Sequence, residues 1–161
     1  MSKKIDITVT VNGVEYQRAV EPRMLLVDFI RHELGLTGTH AGCEHGVCGT
    51  CTILFDGQAV RSCLMFAVQA NRHEVRTVES LGTVEELHPL QESFQETHAL
   101  QCGFCTPGFL MTLVPFLEEN PNPTDEEIVA AASSNLCRCT GYEGIVEAVR
   151  LTAKKMAEGT R

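Results

Sequence analysis

At 161 residues, 43% hydrophobic and 21% charged, the chain has enough apolar material for one domain or two small ones. It has no run of about 18 apolar residues, so no membrane helix is expected. Its net charge of −8 argues against binding a nucleic-acid backbone. The charge is uneven: residues 1–80 carry eight Lys/Arg against nine Asp/Glu, and residues 81–161 carry five against twelve. The acidic second half reads as solvated helix faces.

The chain opens with Lys3 and Lys4 and then alternates apolar and polar residues from Ile5 to Val11, as a half-buried strand does. It lacks the continuous apolar stretch of a secretory leader and any twin-arginine pair, so the expected compartment is the reducing cytoplasm. Asn12-Gly13 is a two-residue hairpin signal, and Val14 to Val20 pairs back. Pro22 suits a first helical turn; Leu26, Ile30 and Leu34 then share one face, with Gly35 as a stop. After a cysteine-rich loop, Thr52–Phe55, Asp56-Gly57 and Gln58–Val60 form a second hairpin, and His73 to Val78 reads as one more strand. Two hairpins, a crossing helix and a late strand suit a β-grasp sheet.

The pattern changes near Leu81-Gly82. Helices are expected over 84–99, with Leu87, Leu90 and Phe94 as the apolar stripe, and from Pro107 to Glu118, with Pro115 kinking or shortening the second. Thr124-Asp-Glu-Glu127 is a capping box opening a third helix, and a fourth runs from about Gly144 to Lys155 with Ile145, Val149 and Thr152 inward. The fold class is therefore α+β: a β-grasp domain over residues 1–80, followed by a four-helix bundle over residues 81–161.

Eight cysteines fall into two groups of four with none left over. Cys43, Cys48 and Cys51 have the spacing C-x4-C-x2-C among Gly42, Gly46 and Gly49, and Cys63 returns beyond the second hairpin. This is how a plant-type ferredoxin loop wraps a [2Fe–2S] cluster, whose two irons need four thiolates. The glycines let backbone N–H groups crowd in on the negatively charged sulfurs. Cys102 and Cys105 (C-x2-C) with Cys137 and Cys139 (C-x-C) make the second group. Taken alone that group also suits zinc, but behind a ferredoxin loop it reads as a second [2Fe–2S] site. Four disulfides fit poorly with a reducing compartment. Cys43-Glu-His45 resembles half of a Rieske site, whose C-x2-H half is absent. None of the six histidines has a partner at metal or catalytic spacing, so structural or exposed roles are expected for each. Phe104, between Cys102 and Cys105, is expected to shield a cluster from water.

Three motifs, C-E-H-G-V-C-G-T-C, Q-C-G-F-C-T-P-G and N-L-C-R-C-T-G-Y, together with Cys63, closely resemble the small iron–sulfur subunit of the molybdenum hydroxylases over nearly the whole chain. That family includes xanthine dehydrogenase, aldehyde oxidoreductase and carbon monoxide dehydrogenase. The resemblance implies two [2Fe–2S] clusters, a large partner subunit holding molybdopterin and a medium one holding FAD, assembled as a dimer of heterotrimers. It also implies an electron-transfer subunit of an oxidoreductase, with no substrate-converting site of its own. Cys102, Cys105, Cys137 and Cys139 would hold the cluster nearer molybdenum, with Gln101 and Cys139 beside the pterin. Cys43, Cys48, Cys51 and Cys63 would hold the one nearer FAD. The alternative is a free-standing ferredoxin shuttle, which needs one exposed cluster and no second, helical cluster domain. Neither a membrane nor a nucleic acid is expected as partner.

Overall fold

In a computed structural model, residues 3–159 are described. Among them, five strands form one sheet: β1 (Ile5–Val11), β2 (Val14–Val20), β3 (Thr52–Phe55), β4 (Gln58–Arg61) and β5 (Glu74–Arg76), in the order β2-β1-β5-β3-β4. β1 and β5 run parallel and the other neighbours antiparallel. Both hairpins turn on two residues of positive φ, Asn12-Gly13 and Asp56-Gly57, the geometry that matches strand twist. Ile7, Val9 and Val11 alternate into the core beneath α1 (Leu26–Asp28), which runs into a π turn over Phe29–Glu33.

Helices dominate after residue 81: α2 (Pro89–Glu96), α3 (Thr106–Glu119), α4 (Asp125–Ala132) and α5 (Glu143–Gly159). α5 packs along α2 and α4, with Ile145, Val149 and Thr152 fully buried. Ile145 and Val149 each contribute about 1.5–3 kcal/mol by leaving water. Lys155 reaches Glu96 at 2.5 Å and Arg150 reaches Asp125 at 2.9 Å, exposed pairs that add little. α3 lies against β3, and Leu54 of that strand belongs to the helical core, so sheet and helices share a packed boundary.

Several sequence expectations need correcting. The first helix starts at Leu26, not near Pro22, because Leu25 is extended and bridges to Phe66. The late strand ends at Arg76, and Val78–Ser80 is a 3-10 turn. The second-half helix begins at Pro89 rather than residue 84, because proline forces the preceding His88 to be extended (ψ 143°). α3 continues through Pro115 without stopping. Among the described residues, no helix is long and apolar enough to cross a membrane.

Candidate metal centres

The first cysteine loop runs from His40 to Thr50 without strand or helix, between the helical turn and β3. Gly46 and Gly49 have φ of 83° and 76°, which side-chain-bearing residues rarely adopt. A Cβ on Gly49 would also lie 2.6 Å from the Asn135 amide. With the backbone thus folded inward, the Cys48 amide donates to the Cys43 sulfur at 3.3 Å. That amide first, and the amide of His45 next, hold the Cys43 thiol down to about 6.

The second hairpin delivers Cys63. Thr52 pairs with Arg61, and both Ser62 N and Ser62 Oγ donate to Cys51 O, at 3.2 and 2.7 Å. Cys51 and Cys63 are therefore buried side by side. Burial, and then the Cys51 thiol, push the Cys63 thiol up to about 11.

The second group lies at helix ends. Cys105 caps α3, and Gly103, at φ 79°, lets the turn from Cys102 close through Thr106 N to Gly103 O. Burial, and then the Cys137 side chain, push the Cys105 thiol up to about 12. Cys137 and Cys139 lie on the loop between α4 and α5, and Cys139 Sγ stands 3.6 Å from Cys102 Sγ. Helix α5 begins at Glu143, beyond this loop. Thr140 serves Cys137, its amide at 3.4 Å and its hydroxyl at 3.1 Å from that sulfur. Burial raises the Cys137 thiol, but these donors outweigh it and the net shift is downward.

Among the described residues, no three His, Cys, Asp or Glu side chains close on one point as ligands of a single ion do. The thiols meet in pairs instead: Cys43 with Cys48, Cys51 with Cys63, Cys102 with Cys139 and Cys105 with Cys137. A two-iron cluster needs two thiolates on each iron, and two pairs per group match that demand. A cavity of about 190 Å3 opens among Cys102, Cys105, Cys137 and Cys139, and Cys48 and Thr50 of the first loop form its far wall. Both groups therefore fit a [2Fe–2S] cluster. Thiolates that are costly to bury alone are stabilised by ferric charge.

The two groups abut. Leu136 N donates to Cys48 O at 2.9 Å, joining the residue before Cys137 to a cysteine of the first group. His40 stacks on Phe104, ring centres 4.7 Å apart, and its Nδ1 lies 2.7 Å from Phe104 O. Phe104 is a wall of the cavity but remains 46% exposed, packed on His40 rather than enclosed. Gln101 and Cys139 are both exposed on the outer side of the second group. Sequence reasoning gave no role to His40, Arg61, Thr112, Asn135 or Tyr142. The hydroxyl of Tyr142 accepts from Cys137 N at 2.9 Å and donates to Asn135 O at 3.1 Å. Asn135 and Tyr142 stood inside a recognisable motif; the other three carried no local signal. His73 bonds Asp56 Oδ2 and His88 accepts from the Leu90 amide as a helix cap, structural roles for both.

Fold and cysteine geometry together define a protein built to carry two iron–sulfur clusters. A 2Fe-2S iron-sulfur cluster binding domain matches residues 9–78, and a [2Fe-2S] binding domain matches residues 77–150. The 6-hydroxypseudooxynicotine dehydrogenase complex subunit beta of Paenarthrobacter nicotinovorans is 59% identical over 88% of this chain and 89% of its own. Caffeine dehydrogenase subunit gamma of Pseudomonas sp. (strain CBB1) is 56% identical over 89% of this chain and 88% of its own. Quinoline 2-oxidoreductase from Pseudomonas putida 86 contains a chain that superposes with a TM-score of 0.92 at 51% identity, covering 98% of this chain and 99% of that one. The chain belongs to the small iron–sulfur subunits of the molybdenum hydroxylases.

Proposed function

We propose that this chain carries electrons from a molybdopterin-containing hydroxylase subunit to a FAD subunit through two [2Fe–2S] clusters. The observation that carries the reading is the arrangement of all eight cysteines as four pairs in two abutting groups. Cys43, Cys48, Cys51 and Cys63 would ligate one cluster, and Cys102, Cys105, Cys137 and Cys139 the other. Each cluster, when bound, supplies a one-electron carrier. The chain's own residues set its surroundings. The amides of Cys48 and Thr140 donate to Cys43 and Cys137 sulfurs, and burial of Cys51 and Cys63 limits water around the first cluster. Such donors and such burial are levers on reduction potential, from a starting point on the order of −400 mV.

In this reading residues 1–80 are a β-grasp ferredoxin domain and residues 81–161 a four-helix bundle. Gln101 and Cys139, exposed beside Cys102, would face the pterin of the large subunit, while the Cys43 loop would face a medium FAD subunit. The assembly would be a cytoplasmic dimer of heterotrimers. The relatives are named for nicotine derivatives, caffeine and quinoline, so the complex is proposed to hydroxylate an N-heterocycle, in a pocket of the large subunit.

Affinity purification of the tagged chain from its native host tests this. Molybdenum, FAD and two further subunits should accompany it. A chain that purifies alone with both clusters intact and reduces unrelated acceptors would contradict it.

A further inference from the structure

We infer that Asn135 is a positioning residue that fixes the two clusters relative to each other, an inference that rests on the two-cluster reading above. Its side chain is 1% exposed yet wholly polar, at the junction of four segments. Asn135 Nδ2 donates to Gly49 O at 3.1 Å, in the first cysteine loop. Asn135 Oδ1 accepts from Arg61 Nη2 of β4 at 3.3 Å and lies 3.0 Å from Thr112 Oγ1 of α3. A flipped amide would set Nδ2 against the guanidinium and Oδ1 against a carbonyl, so the partners fix its orientation.

The contacts close a ring. Thr52 Oγ1, itself buried, donates to the same Gly49 O at 2.6 Å and accepts from Arg61 Nη1. Arg61 Nη2 then returns to Asn135 Oδ1 and also reaches Ser134 O at 2.6 Å. Each donor in this ring meets an acceptor, and buried networks satisfied in this way hold one geometry. The neighbouring residues give the ring its consequence. Asn135 is followed by Leu136, whose amide bonds Cys48 O, and then by Cys137; Gly49 follows Cys48. One buried amide therefore ties the peptide that follows Cys48 to a residue two positions before Cys137, a proposed ligand of the other cluster. With both clusters bound, the step this contact would bear on is the one-electron exchange between them.

The test uses the assembled complex with Asn135→Ala, Asn135→Asp, Thr112→Val and, for comparison, Thr124→Ala, a cap substitution at the far end of α4. Three readouts are taken: amide exchange across residues 135–137, the magnetic splitting between the two clusters after dithionite reduction, and inter-cluster electron transfer after flash photoreduction. Both Asn135 variants should speed exchange at Leu136, alter the splitting and slow transfer several-fold, because the two clusters would no longer be held at one separation. Thr112→Val, which removes one of the Asn135 contacts together with the hydroxyl's bond to Gly108 O within α3, should shift the first two readouts in the same direction by less. Thr124→Ala should leave all three unchanged. Wild-type exchange and splitting in the Asn135 and Thr112 variants would overturn the role of Asn135 alone. A wild-type complex with only one cluster signal would overturn the two-cluster reading, and this inference with it.

Discussion

Gly108, in the first turn of α3, stands directly against the carbonyl of Gly49 in the first cysteine loop: a Cβ on Gly108 would fall 2.3 Å from that oxygen and 2.8 Å from Thr50 Cα. Both neighbours are backbone, so neither can swing aside. The helix that Cys105 caps is thereby seated on the loop that holds Cys43 and Cys48. Gly108→Ala should destabilise the protein by about 1–3 kcal/mol, the usual cost of overpacking. Denaturant unfolding of the variant checks this, and a neutral result would mean the two parts separate more freely than the packing implies.

His88 should make stability depend on pH. Its ring accepts from the Leu90 amide at 3.1 Å as the N-cap of α2. Burial, the largest effect, pushes its pKa below the ordinary 6.5; nearby Glu118 opposes the shift and Arg76 adds to it. The folded state then binds fewer protons at His88 than the unfolded state. Its contribution is present above pH 6.5 and is lost as the pH falls through 6.5 towards the depressed folded value. His88→Asn, which keeps a cap acceptor without a titrating ring, should show a smaller fall in melting temperature between about pH 7.5 and 5.5. Identical slopes for both proteins would rule His88 out as a source of the dependence.

Thr124 should matter to α4. Its hydroxyl accepts from Glu127 N at 3.3 Å, and Glu127 Oε2 accepts from Thr124 N at 2.7 Å. Thr124→Ala should cost about 1 kcal/mol, read from thermal or denaturant unfolding. The Glu127 carboxyl is held below its ordinary pKa chiefly by the Thr124 amide, so the box should weaken as acid protonates it.

The two cysteine groups should be separable. Cys63→Ala and Cys105→Ala should each leave about two irons per chain, because each removes a ligand from one two-iron site only. Iron analysis and the surviving spectrum of each variant decide it. Loss of all iron from both would show that neither site assembles alone.

How far the sequence foretold this structure depends on the range of each interaction. The β1–β2 and β3–β4 hairpins were legible because Asn12-Gly13 and Asp56-Gly57 are local turn signals between alternating segments. The Thr124 box was legible for the same reason. Residues 84–88 were misread as helix: their composition favours one, but Pro89 fixes His88 as the cap. The start at Leu26 depends on the bridge from Leu25 to Phe66, which no local pattern announces. At the candidate centres, cysteine order and spacing were legible, whereas the pairing of thiols was not. The ring through Gly49, Thr52, Arg61 and Asn135 joins positions up to 86 residues apart, and only the packed boundary between sheet and helices brings them together.

Metal content with electron paramagnetic resonance tests the central claim most directly. The purified chain in its complex should contain about four irons and no stoichiometric zinc, and dithionite should produce two distinguishable [2Fe–2S] signals, one from each cysteine environment. Stoichiometric zinc with little iron, or a single cluster signal from fully reduced protein, would contradict the account.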